Sequence, residues 1–230
     1  MDALVAAGVA AARMRGATPG DPVRVVLVPT AAARNRPPAA VEYGRRAFEA
    51  AGQRTGVQLE IAAAYVVDAA SAADPSMAGT LAAADVIHLP GGDPELIPAI
   101  LGGSRAWDAM LAAHRRGACL AGASAGAMAL AARCWTPAGL VDGLGLVTGF
   151  AVLPHFAPGR IARWRGTTDG PDDALTWLGL DERTMLIGRP ASGWQVAGAG
   201  RAHLVPPGAD APTATAGHGE ALTLSERAPG

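Results

Sequence analysis

The chain has 230 residues, half of them apolar and 17% charged, with 30 Gly, 18 Pro and only ten aromatic side chains. A core filled by Ala, Val, Leu and Ile and frequent sharp turns are therefore expected. All 19 basic residues are arginine, which excludes Schiff-base chemistry, a Walker-type phosphate lysine and a Ser-Lys dyad. Against 20 acidic residues they leave a formal charge of −1, with no field to hold nucleic acid or an anionic membrane.

The first segment, Ala3 to Arg15, is Ala-rich and of helical composition, within an N-terminal helical region over 1–20. Its apolar stretch, Ala3 to Ala12, is too short to span a bilayer, and Asp2 stands where a secretory leader would carry positive charge. A cytoplasmic protein is expected. Strands are predicted at Val23 to Pro29, Leu59 to Val67, Asp85 to Pro90 and Ala118 to Ala123, from their β-branched and apolar content. Helices are predicted between and after them at Ala39 to Ala51, Ser76 to Ala84, Ser104 to Arg116 and Ala125 to Arg133. Later strands are expected at Val152 to Phe156, Met185 to Gly188, Trp194 to Val205 and Ala221 to Ser225. Pro206 to Pro212 is a loop, and residues 226–230 form a frayed tail. Alternation of this kind predicts an α/β protein with helices on both faces of a doubly wound, mostly parallel sheet, and an antiparallel edge near the C-terminus. No linker or internal repeat divides the chain, so residues 1–230 are expected to form one domain.

Cys119 and Cys134 lack a C-x-x-C arrangement, and the five histidines show no H-x-x-x-H spacing. Neither a built-in metal site nor a structural disulfide is expected, and no cofactor. The stretch Gly122-Ala123-Ser124-Ala125-Gly126 matches the G-x-S-x-G nucleophile elbow, in which small neighbours let a sharp strand-to-helix turn project a hydroxyl. With six Ser and 30 Gly the pattern arises by composition in about one such chain in ten; its place after a strand and before a helix is what gives it weight. A capping serine in a tight turn is the bland alternative. A second turn, Leu89-Pro-Gly-Gly-Asp-Pro-Glu95, follows the preceding strand. The carboxyl ends of parallel strands form the ligand crevice, so this turn belongs beside Ser124. Backbone N–H groups of Gly92 or Asp93, with that of Ala125, could stabilise an oxyanion, while Asp93-Pro94 could equally start a helix. His155 ends the apolar run Phe150 to Leu153 and is the candidate base; a packed strand-end histidine is the competing explanation. His88 reads as a strand residue packed under Gly91-Gly92, and Cys119 as buried packing. The tryptophans Trp107, Trp135, Trp164, Trp177 and Trp194 read as core or interface residues.

Taken in order, Gly91-Gly92-Asp93, Gly122 to Ala127, Gly143-Leu-Gly-Leu146, Leu153-Pro-His155-Phe156 and Gly179-Leu-Asp-Glu182-Arg-Thr184 resemble the dipeptidase E and cyanophycinase family of serine peptidases. The likeness runs from about Val23 to Val205. It implies a three-layer, class I glutamine amidotransferase-like fold, with Ser124 as nucleophile, His155 as base and Glu182 as the carboxylate orienting His155. The order Ser, His, Glu also argues against ordinary α/β-hydrolase esterases, where the acid precedes the His. From local chemistry Asp142, between the elbow and His155, is the alternative acid. Members of the family commonly open with a Gly-rich strand before their first helix; here Ala3 to Arg15 resembles that helix directly, so the strand is missing or lies upstream.

The expected reaction is acyl transfer of a short peptide to water. Hydrolysis of another small amide or ester at the same site, and a catalytically silent binding module, are the rival functions. Family members resemble one another in acting on peptides with an aspartyl or similar residue. Gly91, with Arg160 or Arg163 on one face of a helix near Pro158, would bind such a substrate, and Arg165 would turn away; a solvated basic face is the bland alternative. A small peptide is the expected partner, with a homodimer left open.

Overall fold

The computed structural model describes residues 1–157, 159, 175–189 and 193–223. Its contacts fall into two compact units, Met1–Gly126 and Ala127–Gly230. No linker marks this division in the sequence; it lies inside the small-residue run that follows Ser124.

The first unit holds one four-stranded sheet, ordered β2-β1-β3-β4, from β1 (Val23–Leu27), β2 (Leu59–Ala63), β3 (Val86–Leu89) and β4 (Cys119–Gly122). All three pairings are parallel. The strands fall inside the four predicted ones. Burial of β1 and β3 is nearly complete, as expected for parallel strands covered on both faces. Helix α1 (Asp2–Met14) packs with α2 (Pro37–Thr55) and on β1, β3 and β4; α3 (Ala69–Ala73), α4 (Pro75–Ala82), α5 (Leu96–Leu101) and α6 (Arg105–Arg115) pack among themselves. The chain steps from β1 outward to β2, then back across to β3 and β4. These steps run in opposite directions, so by the general rule that such crossovers are right-handed the two helix groups belong on opposite faces.

Local chemistry sets the helix ends. Pro37 and Pro38 open α2 and left-handed Gly56 closes it. Asp68 and Ser71 form a reciprocal capping box on α3, and Ser104 Oγ accepts the Trp107 N–H at 3.1 Å on α6. Asp85, at the foot of β3, is almost wholly buried. Its carboxylate accepts Arg15 Nε and Nη2 at 2.9 and 3.0 Å and the Arg24 N–H at 2.9 Å, which ties the end of α1 to the sheet.

Helix α7 (Ala125–Leu130) leaves the elbow and stops short of the predicted Arg133. The next residues are strand β5 (Ala131–Thr136), which turns back into β6 (Gly139–Asp142). The second unit contains a six-stranded sheet, β12-β11-β8-β7-β5-β6, in which β7 (Val147–Pro154) runs parallel to β5 and β8 (Thr176–Leu180). The strand predicted from Trp194 to Val205 is two strands, β10 (Gly193–Gly198) and β11 (Ala202–Val205), broken at Ala199 to Arg201. Antiparallel pairing appears where it was expected: β11 lies between β8 and β12 (Ala214–Ala216), and β10 between β9 (Thr184–Arg189) and β13 (Ala221–Leu222). Among the described residues no helix is long and apolar enough to cross a membrane.

Candidate active site

Within the first unit the elbow is built by close packing. Ser124 has φ 50°, a left-handed conformation that costs energy for a residue with a Cβ and recurs at strained functional turns. The Ala123 N–H continues the sheet by donating to Leu89 O at 2.9 Å, and the chain then turns sharply into α7. Gly126 lies so close to β3 that a Cβ there would stand 2.1 Å from Leu89 O. The +2 glycine of the motif is thus required by strand-to-helix contact.

The Leu89-to-Glu95 turn lies beside Ser124 as the order of β3 and β4 dictates: a Cβ on Gly91 would stand 3.0 Å from Ser124 Cβ. Gly92, at φ 153°, presses on the backbone of Ala31, with a Cβ position 2.3 Å from Ala31 O. The Asp93 N–H donates to Ala31 O at 2.7 Å. That bond corrects the expectation for Asp93, whose N–H is engaged by the β1–α2 loop and does not serve an oxyanion. Gly92 and Ala125 keep that candidacy, Ala125 because the first turn of a helix has no internal acceptors for its N–H groups. The Asp93 side chain has two other tasks: Oδ1 accepts the Glu95 N–H at 3.1 Å, and Oδ2 accepts Arg34 Nη1 at 2.9 Å.

In the second unit β7 carries five consecutive buried residues to its carboxyl end and delivers His155 there, again at positive φ, 53°. Its Nδ1 is 2.6 Å from Glu182 Oε1. A carboxylate only accepts, so Nδ1 carries the proton and Nε2 is left as the basic nitrogen. Glu182 stands on the turn between β8 and β9, where Arg183 is left-handed at φ 58°. Asp142, the other acid considered, instead pairs with Arg133 across the β5–β6 hairpin. The structure therefore brings Glu182 to His155 and gives Asp142 a different partner. Arg160, Arg163 and Arg165 lie outside the described residues.

The other candidates fall away from the chemistry. Burial pushes the Cys134 thiol up to about 12, which leaves it protonated and inert. His88 is buried, edge-on to Phe48, and burial lowers its pKa to about 4, so it is neutral. Trp107 and Trp177 are buried core residues. Among the described residues no three His, Cys, Asp or Glu side chains are grouped to hold a metal ion. Around the His155–Glu182 pair, sequence reasoning gave no role to Phe156 and Asp181, which lie inside the motifs, or to His203, on a strand beside them.

Peptidase family S51 matches residues 10–190. A solved peptidase from an acI-B1 Actinobacterium is 25% identical, with a TM-score of 0.77 over 97% of this chain and 89% of that one. A putative peptidase E protein from Listeria monocytogenes EGD-e is 18% identical and shares the fold, with a TM-score of 0.56 over 82% of this chain and 91% of that one. No curated protein matches the chain significantly in sequence. The family match spans most of the chain, including the elbow, His155 and Glu182, and the chain belongs to peptidase family S51, the dipeptidase E and cyanophycinase family of serine peptidases.

Proposed function

We propose that this serine peptidase hydrolyses short peptides, aspartyl dipeptides among them, with Ser124 as nucleophile, His155 as general base and Glu182 as the group that orients His155. The observation that carries the proposal is the 2.6 Å contact of His155 Nδ1 with Glu182 Oε1, since it fixes the tautomer a base needs. Ser124 Oγ attacks the peptide carbonyl while its proton passes to His155 Nε2. The tetrahedral oxyanion is met by backbone N–H groups of Gly92 and Ala125, each such donor contributing about 3 kcal/mol in comparable sites. His155 then protonates the departing amine, and a water it deprotonates releases the acyl group from Ser124. Throughout, Glu182 stabilises the imidazolium without taking its proton.

Three measurements test this. Mass mapping of a fluorophosphonate adduct should find Ser124 alone; labelling elsewhere, or none in the folded protein, refutes the nucleophile. Glu182→Gln should lower kcat by about four orders of magnitude and leave the fold intact, whereas Asp142→Asn should lose little. Comparing kcat/KM for Asp-Leu and Leu-Leu addresses the substrate, with Arg160→Ala and Arg163→Ala testing whether a guanidinium grips the acidic side chain. Equal rates on the two dipeptides remove the acidic preference.

A further inference from the structure

The His155–Glu182 contact lies at the surface, the imidazole 46% and the carboxylate 74% exposed. Attraction between groups so open to water is weak. Among the described residues the backbones that carry them hold that geometry, and both turn through a left-handed residue, at His155 itself and at Arg183. The question is what holds two such turns in register.

The neighbours on each side supply the answer. Next to His155, the Phe156 N–H donates to Leu180 O at 2.9 Å. The Phe156 ring packs on the cluster of Ala151, Leu153, Trp177 and Val205. It lies over Gly179 so closely that a Cβ there would be 2.4 Å away. Next to Glu182, the Asp181 N–H donates to Arg201 O at 3.1 Å and Asp181 Oδ2 accepts the Arg201 N–H at 2.9 Å. Thr184 Oγ1 donates to Glu182 O and accepts the Gly200 N–H. The carboxylate's turn is thus bolted to the chain between β10 and β11.

One side chain touches both supports. His203 on β11 stands in register with Gly179 on one side and Thr215 on the other. Because Gly179 has no side chain, the Phe156 ring reaches across it and stacks on the His203 imidazole, with centroids 4.4 Å apart and planes 28° from parallel. His203 Nε2 is 3.0 Å from Asp181 Oδ1 and Nδ1 is 3.1 Å from Thr215 Oγ1. The carboxylate can only accept, so Nε2 donates. The side chain is only 14% exposed, so this bond is far better shielded than the one it supports. The path Phe156, His203, Asp181 thus joins the residue after His155 to the residue before Glu182.

We infer that His203 is a positioning residue for the reaction, holding His155 and Glu182 in hydrogen-bonding register through Phe156 and Asp181. The inference rests on the roles proposed above for His155 and Glu182. Loss of the link lets the two turns drift, and a misplacement of the order of 1 Å can cost about a hundredfold in rate.

The test is a double-mutant cycle read by the rate at which a fluorophosphonate probe labels the protein. His203→Ala is made in the wild-type and Glu182→Gln backgrounds, with thermal unfolding confirming that each variant is folded. We expect His203→Ala to slow labelling about 10- to 100-fold in the wild-type background. In the Glu182→Gln background the same change should cost less than about threefold, because the pair it aligns is already broken. His203→Gln, which keeps an N–H donor toward Asp181, should recover most of the rate. Should His203→Ala not fold, His203→Phe, which preserves stacking and removes the donor, takes its place in the cycle. Unchanged labelling, or an equal loss in both backgrounds, overturns the inference and leaves the triad standing. Wild-type labelling by Glu182→Gln alone overturns the triad assignment and this inference with it.

Discussion

The buried His88 gives this protein a defined acid sensitivity. It is 8% exposed on β3, edge-on to the Phe48 ring at 5.7 Å, and among the described residues its Nδ1 has no hydrogen-bond partner. Burial, with a small contribution from the N-terminal charge, depresses its pKa from 6.5 to about 4. The unfolded chain therefore binds a proton near pH 6.5 that the folded protein refuses until about pH 4. Stability from this group is complete above pH 6.5, falls as pH drops between those values, and changes no further below them. Integrating the two titrations gives a loss of about 2 kcal/mol at pH 5, approaching about 3 kcal/mol at lower pH. His88→Leu conserves approximate volume and cannot titrate. Urea unfolding of wild type and variant from pH 7.5 to 5 should show their stability difference shifting in the variant's favour by about 2 kcal/mol. A difference constant to within about 0.5 kcal/mol over that range would show that His88 does not carry this part of the acid response.

Other substitutions probe the packing around the elbow and the anchoring of α1. Gly91→Ala places a Cβ 3.0 Å from Ser124 Cβ and 3.5 Å from its Oγ; peptidase kcat/KM should fall about tenfold or more with little change in unfolding temperature, and full activity would refute the contact. Arg15→Met leaves the buried Asp85 carboxylate with the Arg24 N–H but without its guanidinium, and denaturant unfolding should register a loss of about 3 kcal/mol. Replacing Asp85 by Asn in the same chain should recover part of that loss.

Strands β1 and β3 of the first unit were legible because strands buried on both faces are runs of apolar residues bounded by Gly, Pro and Asp, a signal that survives without knowledge of partners. The elbow was legible for a similar reason: a turn that sharp tolerates only small side chains, and Gly126 proves to be in backbone contact with Leu89. Helix composition misled where long-range pairing decided. Ala125 to Arg133 has helical content throughout, yet the helix ends at Leu130. There, N–H groups of Gly143, Leu144 and Gly145 bond the carbonyls of Ala132, Ala129 and Ala131, and Arg133 enters register with Ala151. The Gly91-to-Asp93 loop shows the same division. Sequence placed Gly91 to Asp93 beside Ser124, but only the approach of Ala31 revealed that the Asp93 N–H already has an acceptor.

By itself, the sequence determined an α/β protein of the serine peptidase type, with a serine on a small-residue turn and a histidine at a strand end. Local spacing alone could not choose between Glu182 and Asp142, since each is an acidic residue near a turn, while the family resemblance pointed to Glu182. The tertiary structure gives them different partners: Asp142 is drawn to Arg133 by the β5–β6 pairing, while Glu182, 27 positions from His155 in the chain, meets its Nδ1 at 2.6 Å. Hydrogen bonds form where backbones place donors and acceptors, and that placement comes from strand register and packing between residues far apart in sequence.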